Sequence, residues 1–193
     1  GCFEPGLFGF YNYSQAQARY LNFNYELYVD YQIENEDVCL GDTAEFYFID
    51  TSGCAGANAF SNLVSFYWDL GDGTISNDTN PTHIYNTADT FLVSLIATDI
   101  NGCTDTSTKS IYIHTPPQAA FTSSLGCLGD AVNLTDSSYL PMGIVESWAW
   151  DMGDGVGTDT VQDPSYVYTQ SGTYTVELII ETNAGCIDTV ESQ

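Results

Sequence analysis

The side chains with the most chemical potential in this 193-residue sequence are six cysteines, two histidines and 26 Asp plus Glu. Cys2, Cys39, Cys54, Cys103, Cys127 and Cys186 show neither CxxC nor Cys/His metal spacing. In a chain rich in Gly, Asn, Asp and Thr they predict disulfides made in an oxidising compartment. His83 and His114 come without a Ser or Cys in a nucleophile elbow, so no acyl-transfer triad is legible. Carboxylates abound, yet nothing singles out a glycosidase pair with one acid of raised pKa. The chain is therefore read as non-enzymatic. Asp69 and Asp72, with Asp99 and Asn101 expected on a facing turn, offer hard oxygen donors, and calcium is the metal they would suit.

Charge excludes whole classes of partner. Arg19 and Lys109 are the only strong cations, and the formal net charge is -24. Such a surface repels phosphates, so nucleic acid and anionic membrane faces are ruled out as partners. A composition with 44% hydrophobic and 14% aromatic residues still predicts a folded core. The longest apolar run, around Leu95 to Ala97, falls far short of the roughly 18 residues that would cross a bilayer. A start at Gly1 without an apolar leader reads as a mature or excised segment, and with the cysteines it predicts an extracellular or cell-surface location.

What positions these side chains is a duplication. Trp68-Asp69-Leu70-Gly71-Asp72-Gly73 recurs as Trp150-Asp151-Met152-Gly153-Asp154-Gly155, and Asn80-Pro81-Thr82-His83-Ile84-Tyr85 as Asp163-Pro164-Ser165-Tyr166-Val167-Tyr168. Upstream, Cys39-Leu40-Gly41-Asp42 matches Cys127-Leu128-Gly129-Asp130. Downstream, Gly102-Cys103-Thr104-Asp105-Thr106 matches Gly185-Cys186-Ile187-Asp188-Thr189. Two copies follow each other in order. Pro116 and Pro117 mark the join, because consecutive prolines remove amide donors and favour an extended spacer. Short β-branched and aromatic runs between Gly, Asn and Asp turns, with no helical period, predict an all-β sandwich in each copy. Trp68 and Trp150 share a strand face with Phe66 and Trp148 and are expected to anchor the two cores.

The WDxGDG element, the downstream NPxHxY and the tail from Ser171-Gly172-Thr173-Tyr174 to Thr189 resemble the PKD domain, an immunoglobulin-like sandwich of bacterial and archaeal secreted or cell-surface proteins. Copy one departs at Ala88-Asp89, where the usual turn glycine is absent, and copy two has Tyr166 for the His. The resemblance covers about residues 27 to 193. It implies two tandem PKD sandwiches, 27–115 and 116–193, preceded by an extension of residues 1–26. Some PKD-like domains bind calcium around the turn that carries Asp69 and Asp72.

Repeat equivalence pairs Cys39 with Cys103 and Cys127 with Cys186, leaving Cys2 to meet Cys54 in an insertion that copy two lacks; an intermolecular bond is the competing reading for that pair. The ends differ. Copy one continues to Lys109-Ser110-Ile111-Tyr112-Ile113-His114, whereas copy two stops at Gln193, so the second sandwich is expected to lack its last strand. The N-terminus has spare strand. Odd positions Leu21, Phe23, Tyr25, Leu27, Val29, Tyr31 and Ile33 are all apolar, a two-residue alternation over 13 residues that would extend roughly 40 Å. Aligning the copies places Ile33 opposite Phe121.

One expectation is that Leu21, Phe23, Tyr25, Leu27 and Val29 form an interface by adding a strand to another molecule's second sandwich. The others are that Gln193 marks the edge of a longer array, or that the chain covers the edge itself. The aromatics of residues 1–20, Phe3, Phe8, Phe10, Tyr11, Tyr13 and Tyr20, would pack on copy one or on a partner. Asn12, Asn77 and Asn133 head glycosylation-type triplets. The functional expectation is an extracellular structural or adhesive unit of a surface filament whose partners are proteins, copies of itself or neighbouring repeats, with a surface glycan as a further partner. The alternative is an accessory polysaccharide- or protein-binding module of a secreted hydrolase.

Overall fold

The structure is a computed structural model and describes residues 27–50 and 63–193. Every regular element in them is a strand. In chain order they are β1 (Val29–Ile33), β2 (Asp37–Cys39), β3 (Ala44–Asp50), β4 (Leu63–Asp69), β5 (Ile75–Ser76), β6 (Thr82–His83), β7 (Thr90–Asp99) and β8 (Thr104–His114), followed by β9 (Phe121–Ser123), β10 (Ala131–Asp136), β11 (Val145–Asp151), β12 (Thr158–Asp159), β13 (Ser165–Val167), β14 (Val176–Thr182) and β15 (Ile187–Ser192). Copy one forms sheets β1-β3-β6 and β2-β8-β7-β4-β5; copy two forms β13-β10-β9 and β12-β11-β14-β15. The chain is all-β, and its sheets pair as immunoglobulin-like sandwiches do.

Two compact units make up the described chain. The first comprises residues 27–32, 46–50, 63–81 and 93–109, the second 33–45, 82–92 and 110–193. Strand alternation explains the core of the first. Tyr31, Phe46, Trp68, Val93, Leu95 and Ala97 are fully buried, each from the inward face of its strand. Tyr31 meets Trp68 edge-to-face at 5.0 Å and Phe46 at 6.4 Å. Burial of the Tyr31 ring requires a partner for its hydroxyl, which donates to the Val93 carbonyl at 2.7 Å. The Trp68 indole donates to the Asp78 carbonyl at 2.9 Å.

The second unit repeats this logic in its 110–193 portion. Leu134, Trp150, Met152, Val176, Leu178 and Ile180 form its buried cluster. Phe121 meets Trp150 edge-to-face at 5.1 Å, and the Trp150 indole donates to the Val161 carbonyl at 2.9 Å. The same unit holds the parallel pairing of β2 with β8, Asp37 opposite Tyr112 and Cys39 opposite His114.

Three expectations are corrected here. The last strand of copy two is present: β15 pairs with β14 over six positions, from Val176 opposite Ser192 to Glu181 opposite Ile187. The closing strand begins directly after the hairpin cysteine, at Thr104 in copy one and Ile187 in copy two. Counting it from Lys109 skipped its first half. Secondly, Tyr31 and not Ile33 corresponds to Phe121, since these two rings meet the two tryptophans in the same way. Thirdly, Val29 is buried in its own module and belongs to β1, so it is not a free interface residue. Leu27 lies outside any strand, and Leu21, Phe23 and Tyr25, like Cys2 and Cys54, lie outside the described residues.

Candidate functional site

Each repeated motif turns out to cap backbone. In the first WDxGDG turn, Asp69 accepts from the Gly71 amide at 3.0 Å and Asp72 from the Thr74 amide at 2.9 Å. In the second, Asp151 accepts from Gly153 at 2.8 Å, and Asp154 from Val156 and Gly157 at 3.0 and 2.7 Å. These are Asx turns, and they need glycine where the chain turns left-handed. Gly153 has φ +75°, and a Cβ there would lie 2.1 Å from the Thr175 carbonyl oxygen. Gly153→Ala is expected to cost about 2 kcal/mol or more through strain and collision, read as a lowered urea midpoint in denaturation.

The oxygen donors expected to share a calcium ion are not all brought together. Strand β4 runs antiparallel to β7, with Asp69 opposite Ser94 and Leu63 opposite Asp99. Asp69 and Asp99 therefore sit at opposite ends of β4, about 20 Å apart at strand rise. The facing turn is at the wrong end. Among the described residues, no group of three or more His, Cys, Asp or Glu could hold a metal ion.

Asp99 instead builds the β7–β8 hairpin. Its Oδ1 accepts from the Asn101 and Cys103 amides, both at 2.8 Å. Burial works against its ionisation, but those bonds outweigh it and hold the carboxyl below the usual range. Asp136 behaves similarly: burial opposes its charge, while Ser138, Trp148 and Gln162 stabilise it and lower its pKa. At Asp154 the bond donated by the Tyr166 hydroxyl, at 2.7 Å, leads the lowering. Tyr166 thus has a role of its own in copy two.

Because these folded-state values are depressed, their contribution to stability is complete above the unfolded carboxyl value of about 4 and is lost as pH falls through the lowered values. Self-repulsion of the acidic surface works in the other direction and relaxes as pH falls toward that value. Thermal melts across pH should therefore pass through a maximum at mildly acid pH and fall steeply below about pH 4.

The Gly-Cys-x-Asp-Thr motif has a function that composition could not reveal. Asp105 accepts from the Val29 amide, and Asp188 from the Ala119 amide, both at 2.7 Å. Each carboxylate joins the start of the first strand to the last strand of its copy. Nearby, Lys109 pairs with Asp30 at 3.0 Å, donates to the Tyr31 carbonyl and lies 5.1 Å over the Tyr31 ring.

The cysteines pair differently from the expectation. Cys39 is bonded to Cys186, with Cα atoms 5.6 Å apart, and Cys103 and Cys127 carry free, exposed thiols. The reason is polarity along the strand. Cys103 immediately precedes β8, whereas Cys39 stands opposite His114, its last residue, so more than about 30 Å of strand separates them. In copy two, Cys186 donates to Thr182 at the end of β14, while Cys127 lines a groove with Val176 at its start. Repeat equivalence identified the positions correctly but not which of them meet.

That groove, about 320 Å³, is bordered by Leu125, Gly126, Cys127, Tyr168, Tyr174 and Gln193 among others. Tyr168 and Tyr174 stack at 4.2 Å on its wall. His114 contacts Asp37 at 2.7 Å and Tyr112 at 6.5 Å, and His83 meets Tyr85 edge-to-face at 4.6 Å. Both histidines thus contact strand neighbours. Asn77 and Asn133 are exposed; Asn12 lies outside the described residues.

Comparison with known proteins agrees with this geometry. The chain is 30% identical over 136 residues to the pre-pro-metalloprotease PrtV of Vibrio cholerae serotype O1, a stretch covering 67% of this chain and 14% of that protein. It is 45% identical over 51 residues to a microbial collagenase of Vibrio alginolyticus, covering 26% of this chain and 6% of the collagenase. The crystal structure of the PKD1 domain of Vibrio anguillarum Epp, 30% identical, covers 41% of this chain and 90% of that domain with a TM-score of 0.39. The PKD domain model matches twice, over residues 32–115 and 113–193. With both copies matched and the capping motifs in place, the chain belongs to the PKD domain family.

Proposed function

We propose that this chain is a non-catalytic tandem PKD region of an extracellular hydrolase, serving to hold protein or glycan surfaces near a catalytic domain. The observation that carries this reading is the 30% identity over 136 residues with a metalloprotease, spanning 67% of this chain. The Cys39–Cys186 bond supports an oxidising location. No helix among the described residues is long and apolar enough to cross a membrane. The reading as a structural or adhesive filament drew on a missing last strand, and β15 removes that support.

Co-sedimentation of the purified chain with fibrillar collagen and with insoluble glycans is the test. Saturable retention on one of them is expected. Absence of retention on all of them, with regular fibres in electron micrographs, would overturn the proposal in favour of a filament subunit.

A further inference from the structure

Among the described residues, the one disulfide and the two free thiols share a pattern. Cys39 and Cys127 occupy the same turn. Asp42 donates to the Cys39 carbonyl and Asp130 to the Cys127 carbonyl, each at 2.9 Å, with Gly41 and Gly129 at φ +99° and +89°. Cys103 and Cys186 occupy the same hairpin. Asp99 donates to the Cys103 carbonyl and Thr182 to the Cys186 carbonyl, each at 2.9 Å, with Gly102 and Gly185 at φ +83° and +78°. The disulfide joins the turn of copy one to the hairpin of copy two. The free pair is the complementary set, a turn thiol at Cys127 and a hairpin thiol at Cys103, both exposed.

The two cannot repeat the bond within one chain, because that bond joins a turn to the hairpin of the copy that follows it. Cys103 belongs to the copy that precedes Cys127. We propose that Cys127 of one molecule bonds Cys103 of a second copy of this chain, reproducing the Cys39–Cys186 junction between molecules and giving a head-to-tail, disulfide-linked array. The groove lined by Cys127 and Val176 is the surface on which the incoming hairpin would rest.

The oxidant is a small-molecule disulfide such as oxidised glutathione. The Cys127 thiolate attacks it and releases one glutathione thiol; the Cys103 thiolate of the second molecule then attacks the mixed disulfide and releases the other. Two protein thiols become one bond, and two electrons and two protons end on glutathione. This inference does not depend on the hydrolase reading, which concerns what the sandwiches hold and not how the thiols pair.

The test incubates the full 193-residue chain in a glutathione redox buffer, followed by non-reducing electrophoresis and peptide mass mapping. A ladder is expected for the native chain. C103S or C127S alone should remove the Cys103–Cys127 cross-link, and an equimolar mixture of the two should restore it in dimers. Both positions are exposed, so unchanged circular dichroism melts would show that the fold survives. The Cys127–Cys103 peptide should exceed either like-with-like peptide by on the order of tenfold, against a statistical ratio of about two without end recognition. Like-with-like bonds at the statistical share, bridges from either thiol to Cys2 or Cys54, or monomers that keep both thiols would each overturn the proposal.

Discussion

Trp68→Ala is expected to make copy one melt far below its native temperature. The indole is fully buried against Tyr31 at 5.0 Å and Phe46 at 5.9 Å. Truncation removes its transfer energy and leaves a cavity, together about 3–5 kcal/mol. It also deprives the Asp78 carbonyl of its 2.9 Å donor, a further cost of about 1 kcal/mol. A domain whose whole stability is about 5–15 kcal/mol loses a large part of its margin. Tryptophan-to-alanine variants followed by near-ultraviolet dichroism would show loss of the aromatic signal well below the native melting temperature. Trp68→Phe should retain more of it, because a phenyl ring still packs on Tyr31 and Phe46 while the indole N–H and part of the ring volume are lost.

The second large effect is expected from Cys39→Ser. The Cys39–Cys186 bond closes a sequence separation of 147 residues, and restricting a loop of that size in the unfolded chain is worth up to about 5 kcal/mol in the chain-entropy model. Reducing agent should lower the melting temperature of the native chain and leave the Cys39→Ser variant unaffected. The Cys103→Ser variant should respond to reductant as the native chain does. Equal loss in all three would mean that another bridge carries the stability.

Much of the architecture was legible because the signals were local and duplicated. Alternation at Phe66 and Trp68, the Asx and glycine positions of the WDxGDG turns, and their recurrence 82 residues later at Trp150 all follow from short-range backbone requirements. What escaped was whatever depended on which ends of strands come together. Asp69 and Asp99 are both turn carboxylates, and only the antiparallel register of β4 on β7 shows that they are far apart. The cysteines posed the same difficulty, since repeat equivalence assigns type and not polarity. The last strand of copy two was missed because a carboxylate, Asp188, shares the half-buried face with Val190 and breaks the apolar alternation that would mark a strand. Asp105 and Asp188 had a readable signal, the same place two residues after cysteine in both copies, but their acceptor role requires the first strand to lie alongside the last.

The setting of Lys109 bears on how long such a chain survives outside a cell. It is the only lysine, and it sits in the middle of β8 with its ammonium engaged by Asp30 and Tyr31. Endopeptidases that cut after basic side chains need an extended, detached segment in their cleft. At this position they must wait for the strand to peel from its neighbours, so digestion at Lys109 is governed by opening of the fold. A chain this poor in cations offers trypsin-like enzymes few footholds.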